Sequence, residues 1–121
     1  MDDQDTLASL QRRVIEFREA RAWGPFHTPK NLAMALAIEA GELQELFLWK
    51  EDLEIHDSLR HDPFAIRVQE EVADILIFLL YLADAAGIDL SEAVKAKLMK
   101  NQAKYPISKS FGSNKKYHEL E

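Results

Sequence analysis

A chain of 121 residues has room for one domain, and a domain of that size removes roughly two-thirds of its unfolded surface from water. The absence of cysteine excludes a disulfide framework, thiolate metal sites and cysteine nucleophiles, so any metal must be held by oxygen or imidazole. A formal charge of −6 argues against general nucleic-acid binding, which needs a concentrated cationic surface, and with only four glycines and four prolines helices should dominate.

The acidic start, Met1-Asp2-Asp3-Gln4-Asp5, lacks the basic and apolar segments of a secretory leader, which points to the cytoplasm. Leu7, Leu10, Val14 and Phe17 then recur at helical spacing behind the N-cap candidates Asp5 and Thr6, predicting a first helix to about Ala22 that Gly24-Pro25 stops. Thr28-Pro29 opens a second helix carrying Leu32, Leu36, Leu43 and Leu46 to about Trp49. Polar Lys50 to His61 reads as a loop. Asp62-Pro63 repeats the start signal for a third helix, carried by Val68, Val72, Ile75, Leu79 and Leu82 to a C-cap at Gly87. Asp89 or Ser91 starts a fourth helix ending near Tyr105-Pro106, and the polar stretch 107–121 reads as a flexible tail. The expectation is one all-α domain over 1–121, a four-helix bundle without hairpin, repeat or linker. The apolar run Ile75 to Ala83 is nine residues, well short of the roughly 20 needed to cross a bilayer, so no membrane association is expected. Because that run is apolar all round, it needs cover on every side, which implies a homodimer or a dimer of dimers.

Carboxylates interrupt this pattern. At 100° per residue Glu39 points into the Leu32, Leu36, Leu43 and Leu46 stripe, with Glu42 on its margin; Glu71 and Asp74 repeat the i,i+3 spacing beside Val72, Ile75 and Leu79. One such pair is commonplace on a solvated helix face, but two at core margins are not. Clustered carboxylates repel and resist desolvation, so without a cation some must take up protons; Mg²⁺, or Mn²⁺, resolves the conflict through carboxylate oxygen. Glu45 and Glu70 stand beside the sets, as further ligands or as surface charges. A ferritin-like di-iron site would require Glu-x-x-His on two helices, whereas Glu42 and Asp74 hold the third positions and His27, His56, His61 and His118 fall in loops, helix starts or the tail.

Through Glu39-Ala40-Gly41-Glu42 and Glu71-Val72-Ala73-Asp74 the sequence resembles the MazG-like all-α nucleotide pyrophosphohydrolases. The segments Trp23-x-x-Phe26-His27-x-Pro29-x-Asn31-Leu32, Glu39-x-Gly41-Glu42-Leu43-x-Glu45-Leu46-Phe47-x-Trp49-Lys50 and Lys104-Tyr105-Pro106 are similar to the dCTP pyrophosphatase branch, with Phe78 where a tyrosine is more usual. The resemblance implies that Glu39, Glu42, Glu71 and Asp74 bind Mg²⁺ against the triphosphate. Water activated by metal then attacks the α-phosphorus, with Glu42 or Glu45 as the group that orients it. It further implies base recognition by Trp23, Phe26, His27, Asn31, Trp49 and Phe78. On the fourth helix Lys97, Lys100, Asn101 and Lys104 form a stripe, of which Asn101 and Lys104 are favoured as phosphate contacts. The implied activity is hydrolysis of (deoxy)nucleoside triphosphates, dCTP or a related pyrimidine above all, to monophosphate and pyrophosphate in nucleotide-pool housekeeping. The alternative is a non-catalytic helical oligomer that binds nucleotide or regulates a partner, though such a module has no reason to keep the full carboxylate set.

Overall fold

The structure, a computed structural model, describes residues 5–121; residues 1–4, most of the acidic start, lie outside the described part. In chain order it contains α1 (Leu7–Glu19), a 3₁₀ turn (Gly24–Phe26), α2 (Pro29–Phe47), α3 (Asp52–Ser58), α4 (Phe64–Ala86), α5 (Leu90–Lys104), α6 (Ile107–Ser110) and a last 3₁₀ turn (Tyr117–Glu119). No strand occurs among the described residues, as an all-α fold requires, and none of their helices is long and apolar enough to cross a membrane. Contacts divide the chain into a unit ending at Gly87 and a unit Ile88–Glu121.

The first unit is built on α4, against which α2 and α1 pack. Local chemistry sets the helix ends. Thr6 and Ser9 cap α1 reciprocally, Ser9 N donating to Thr6 Oγ1 at 3.0 Å and Thr6 N to Ser9 Oγ at 2.8 Å. The helix stops at Glu19, short of Ala22, because Ala22 itself turns left-handed at φ 53°. Thr28 Oγ1 accepts from Asn31 N at 3.2 Å while Pro29 takes the first helical position of α2. The loop expected over Lys50 to His61 needs correction, because the chain forms α3 there: Asp52 and Glu54 favour its N-terminus, and Lys50 pairs with Glu54 at 3.5 Å. Pro63 is the N-cap residue of α4 rather than its first helical one, and the Asp62–Pro63 bond is cis. Gly87 closes α4 at φ 68°, a conformation a Cβ would oppose.

Leu32, Leu80, Tyr81 and Ala83 are buried. Three polar contacts tie α1 to α4: Gln11 Nε2 donates to Leu80 O at 3.0 Å, Tyr81 Oη to Val14 O at 2.7 Å, and Arg18 Nη1 to Asp84 Oδ2 at 3.1 Å. Residue numbers rise together along both helices, so α1 and α4 run parallel. A second face of α4 stays uncovered. Val72, Leu76 and Leu79 are 51%, 37% and 37% exposed, and with Ala65 and Gln69 they keep the alternating 4,3 spacing of a heptad seam.

In the second unit Asp89 caps α5, accepting from Glu92 N at 3.1 Å. Within the stretch read as tail, α6 forms and Tyr117 lies edge-on to Tyr105 at 6.3 Å between ring centres.

Removing the core leucine should matter more than removing the buried hydroxyl. Leu32→Ala is expected to lose about 2–5 kcal/mol of stability and Tyr81→Phe about 1 kcal/mol in urea unfolding at a fixed protein concentration. Equal losses would contradict this account of the core.

Candidate active site

Glu39 and Glu42 sit one turn apart on α2, and α4 brings Glu71 opposite them. One carboxylate oxygen from each of the three lies within 4.8 Å of the others. Glu39 and Glu71 are half-buried and Glu42 is exposed; Glu39 Oε2 and Glu71 Oε2 are buried atoms with no hydrogen-bond partner. Three acceptor-only groups face one another without a donor between them. The facing Glu71 carboxylate, then burial, then the charge of Glu42 push Glu39 up to about 7. Either a proton or a cation can relieve that conflict, and an all-carboxylate donor set suits a hard divalent cation. No histidine belongs to the cluster, against the di-iron alternative. Asp74, one turn further along α4, is not drawn into it, and Glu45 and Glu70 are exposed.

Asp74 instead lines a cavity of about 760 Å³ between α1 and α4. Leu10, Val14 and Phe17 form one wall, Ile77, Phe78 and Leu80 the other, and Trp23 and His27 project from the segment after α1. Trp23 meets Phe17 edge-on at 5.8 Å, and the Arg21 guanidinium lies 3.6 Å from the centre of the Phe17 ring. His27 leans on Tyr81 with ring centres 4.5 Å apart, and its Nδ1 is buried without a partner. Burial, then the nearby Arg18 charge, lower its pKa, so the ring is neutral at pH 7.

Other residues expected at a site fall elsewhere. Phe26 is 68% exposed, and its carbonyl accepts from Asn31 Nδ2 at 3.1 Å, so the Asn31 amide braces the turn ahead of α2. Trp49 is 92% exposed at φ 67°, a left-handed conformation rare for a bulky residue. It does not pack into this chain's core, nor does it line the α1–α4 cavity. Asn101 and Lys104 belong to the second unit, where Lys104 Nζ lies 4.8 Å from the centre of the Tyr117 ring. Sequence reasoning missed Arg13 and Tyr81, both in the cavity wall. The Leu10, Val14 and Phe17 stripe was visible, and Arg13 falls on it; nothing local showed that the stripe would line a cavity.

Residues 34–120 match the MazG-like family. The chain is 41% identical to dCTP pyrophosphatase 1 of Rattus norvegicus over 117 residues, covering 97% of this chain and 69% of that protein. It is 35% identical to the dATP/dGTP diphosphohydrolase of Cyanophage S-2L over 103 residues, 82% of this chain and 76% of that protein. A pyrophosphatase of Archaeoglobus fulgidus known from its crystal structure superposes with a TM-score of 0.77 at 42% identity, covering 88% of this chain and 97% of that one.

Glu39 makes the metal-free protein sensitive to pH. Its folded pKa of about 7 exceeds the ordinary value of 4.5, so its protonated form favours folding below 4.5, and that stability is lost as pH rises through 7. In EDTA the melting temperature should decline from pH 4.5 to 8 more steeply for the parent than for Glu39→Gln. Parallel profiles would contradict the assignment.

Proposed function

The chain belongs to the MazG-like family, and from that membership we propose that it hydrolyses dCTP or a related pyrimidine nucleotide, with Mg²⁺, to the monophosphate and pyrophosphate. The chain is a nucleoside triphosphate pyrophosphohydrolase, as its similarity to a dCTP pyrophosphatase and a dATP/dGTP diphosphohydrolase supports. One observation carries the reading: Glu39, Glu42 and Glu71 converge, and Glu39 Oε2 and Glu71 Oε2 are buried there with no protein donor to serve them. A non-catalytic interaction module would bear that electrostatic cost with nothing in return.

In this reading Glu39, Glu42 and Glu71 hold Mg²⁺, with Asp74 reaching from the cavity edge; Mn²⁺ suits the same donors. A cation held by these residues would supply neutralisation of the phosphate charge, which would open the α-phosphorus to attack by water. Glu45, one turn beyond Glu42 and exposed, accepts the proton that water gives up. Trp23 and Phe78 enclose the base within the cavity, and neutral His27 offers a ring nitrogen to its polar edge. Asn31 fixes the turn that carries Phe26 and His27, Trp49 supplies a further aromatic face, and Asn101 and Lys104 serve the phosphates. All of 1–121 acts as one pyrophosphohydrolase domain, the family match running through both units. Its setting is cytoplasmic nucleotide housekeeping, without nucleic acid or membrane.

Incubation with each canonical and several modified triphosphates plus Mg²⁺ should yield monophosphate and pyrophosphate; diphosphate and orthophosphate would overturn the reading. Glu39→Gln should lower activity by orders of magnitude. Millimolar Mg²⁺ should raise the parent's melting temperature, as a ligand of the native state must, and raise the variant's far less. Equal shifts would remove Glu39 from the metal site.

The protein acts as a dimer or a dimer of dimers, a proposal supported by the exposed Val72, Leu76 and Leu79 seam. Sedimentation at micromolar concentration should show no stable monomer. A well-folded monomer would refute this assembly.

A further inference from the structure

The cavity wall holds a cation with no assigned task. Of the arginines around α1, Arg18 pairs with Glu19 at 2.8 Å and Asp84 at 3.1 Å, and Arg21 lies over Phe17 while Nη1 donates to its carbonyl at 2.9 Å. Arg13 lines the cavity, and among the described residues no carboxylate stands within ion-pair distance of it, in a chain with 21 acidic and 15 basic residues. Beside it the wall is apolar, formed by Leu10, Val14 and Ile77. A guanidinium there gains most from an anionic partner, since its five donors match carboxylate or phosphate oxygens in pairs.

The helix register locates that partner. The contacts Gln11 to Leu80, Val14 to Tyr81 and Arg18 to Asp84 fix α1 parallel to α4, so positions toward the start of α1 face the Asp74 end of the cavity. Phe17, with Trp23 and His27 after it, lies toward the other end. Arg13 comes between the two, and its side chain tilts toward the helix N-terminus, the carboxylate side. A nucleotide with its phosphates at the carboxylates and its base among the aromatic rings would place the α-phosphate and the sugar at this level. Only the phosphate is charged.

On the reading of the cavity as the nucleotide site, we infer that Arg13 binds the α-phosphate, the group that remains on the nucleoside monophosphate after cleavage. It is then a substrate and product contact that acts alike for every base. Its loss affects the nucleotide and leaves the bare nucleoside untouched.

Calorimetry with deoxycytidine and with its 5′-monophosphate, neither of which can be turned over, tests this in the presence of Mg²⁺ on the parent, Arg13→Leu and Arg13→Lys. Arg13→Leu should weaken monophosphate binding roughly tenfold or more, the size expected for a charge-assisted pair. Arg13→Lys should weaken it less, and deoxycytidine binding should not change. Equal loss for both ligands would make Arg13 a base or shape contact and overturn the inference, as would unchanged monophosphate affinity. If Arg13→Leu fails to fold, Arg13→Lys decides by the same comparison. Parent protein that cleaves triphosphates while the variants keep full monophosphate affinity defeats this inference alone. Parent protein that neither cleaves triphosphates nor binds the monophosphate defeats the nucleotide reading and this inference together.

Discussion

The packing of α2 against α4 forces like charges together, and the chemistry proposed for this protein depends on that conflict. Leu32 is buried in this unit, and Glu39 follows it by seven residues, two turns along the same face. The contact that buries the leucine therefore directs the glutamate inward as well. Glu39 cannot retreat to water without unpacking α2, and Glu71 waits opposite with an equally unserved oxygen. Hydrophobic packing holds in place an arrangement that electrostatics alone would disperse. Such local inconsistency, kept against the interest of stability, marks functional positions in otherwise consistent sequences.

α4 serves three neighbours at once. One face presents Glu71 to α2, a second forms the cavity wall with Ile77, Phe78 and Leu80, and a third leaves Val72 and Leu79 in the open, while the part-exposed Leu76 also lines the cavity. The run Ile75 to Ala83 is apolar all round, and two of its faces find a use within this chain. α1 contributes through a fixed register: Tyr81 satisfies its buried hydroxyl on Val14 O, and Arg18 finds Asp84 beyond it. Those bonds hold the helices alongside each other while leaving a cavity between their side chains. The carboxylate cluster is thus confined to the α2–α4 contact and the cavity to α1 and α4, with Asp74 in the cavity lining.

Much of this was legible along the chain. Thr28-Pro29 opened α2, Gly87 closed α4 and Asp89 capped α5, because caps and left-handed turns are decided by a few consecutive residues. The i,i+3 carboxylate pairs were equally visible, since helical periodicity alone puts them on one face. The same local view overlooked α3, a segment of seven residues with little apolar pattern, whose acidic first turn and Lys50–Glu54 pair favour a helix that hydrophobic periodicity could not reveal. It also ran α1 past Glu19, where the backbone turns through a left-handed Ala22 that no glycine announced.

By itself, then, the sequence determined the all-α class, the principal helices and the carboxylates at their margins, because each follows from spacing and end chemistry within one segment. Only the tertiary structure decided which groups meet. It set Glu71 against Glu39 and Glu42 while leaving Asp74 to the cavity, spent the Asn31 amide on the Phe26 carbonyl, and placed Arg13 in the cavity wall without an ion-pair partner among the described residues. Those outcomes depend on register and distance between helices far apart in the chain, which no periodicity along a single helix contains.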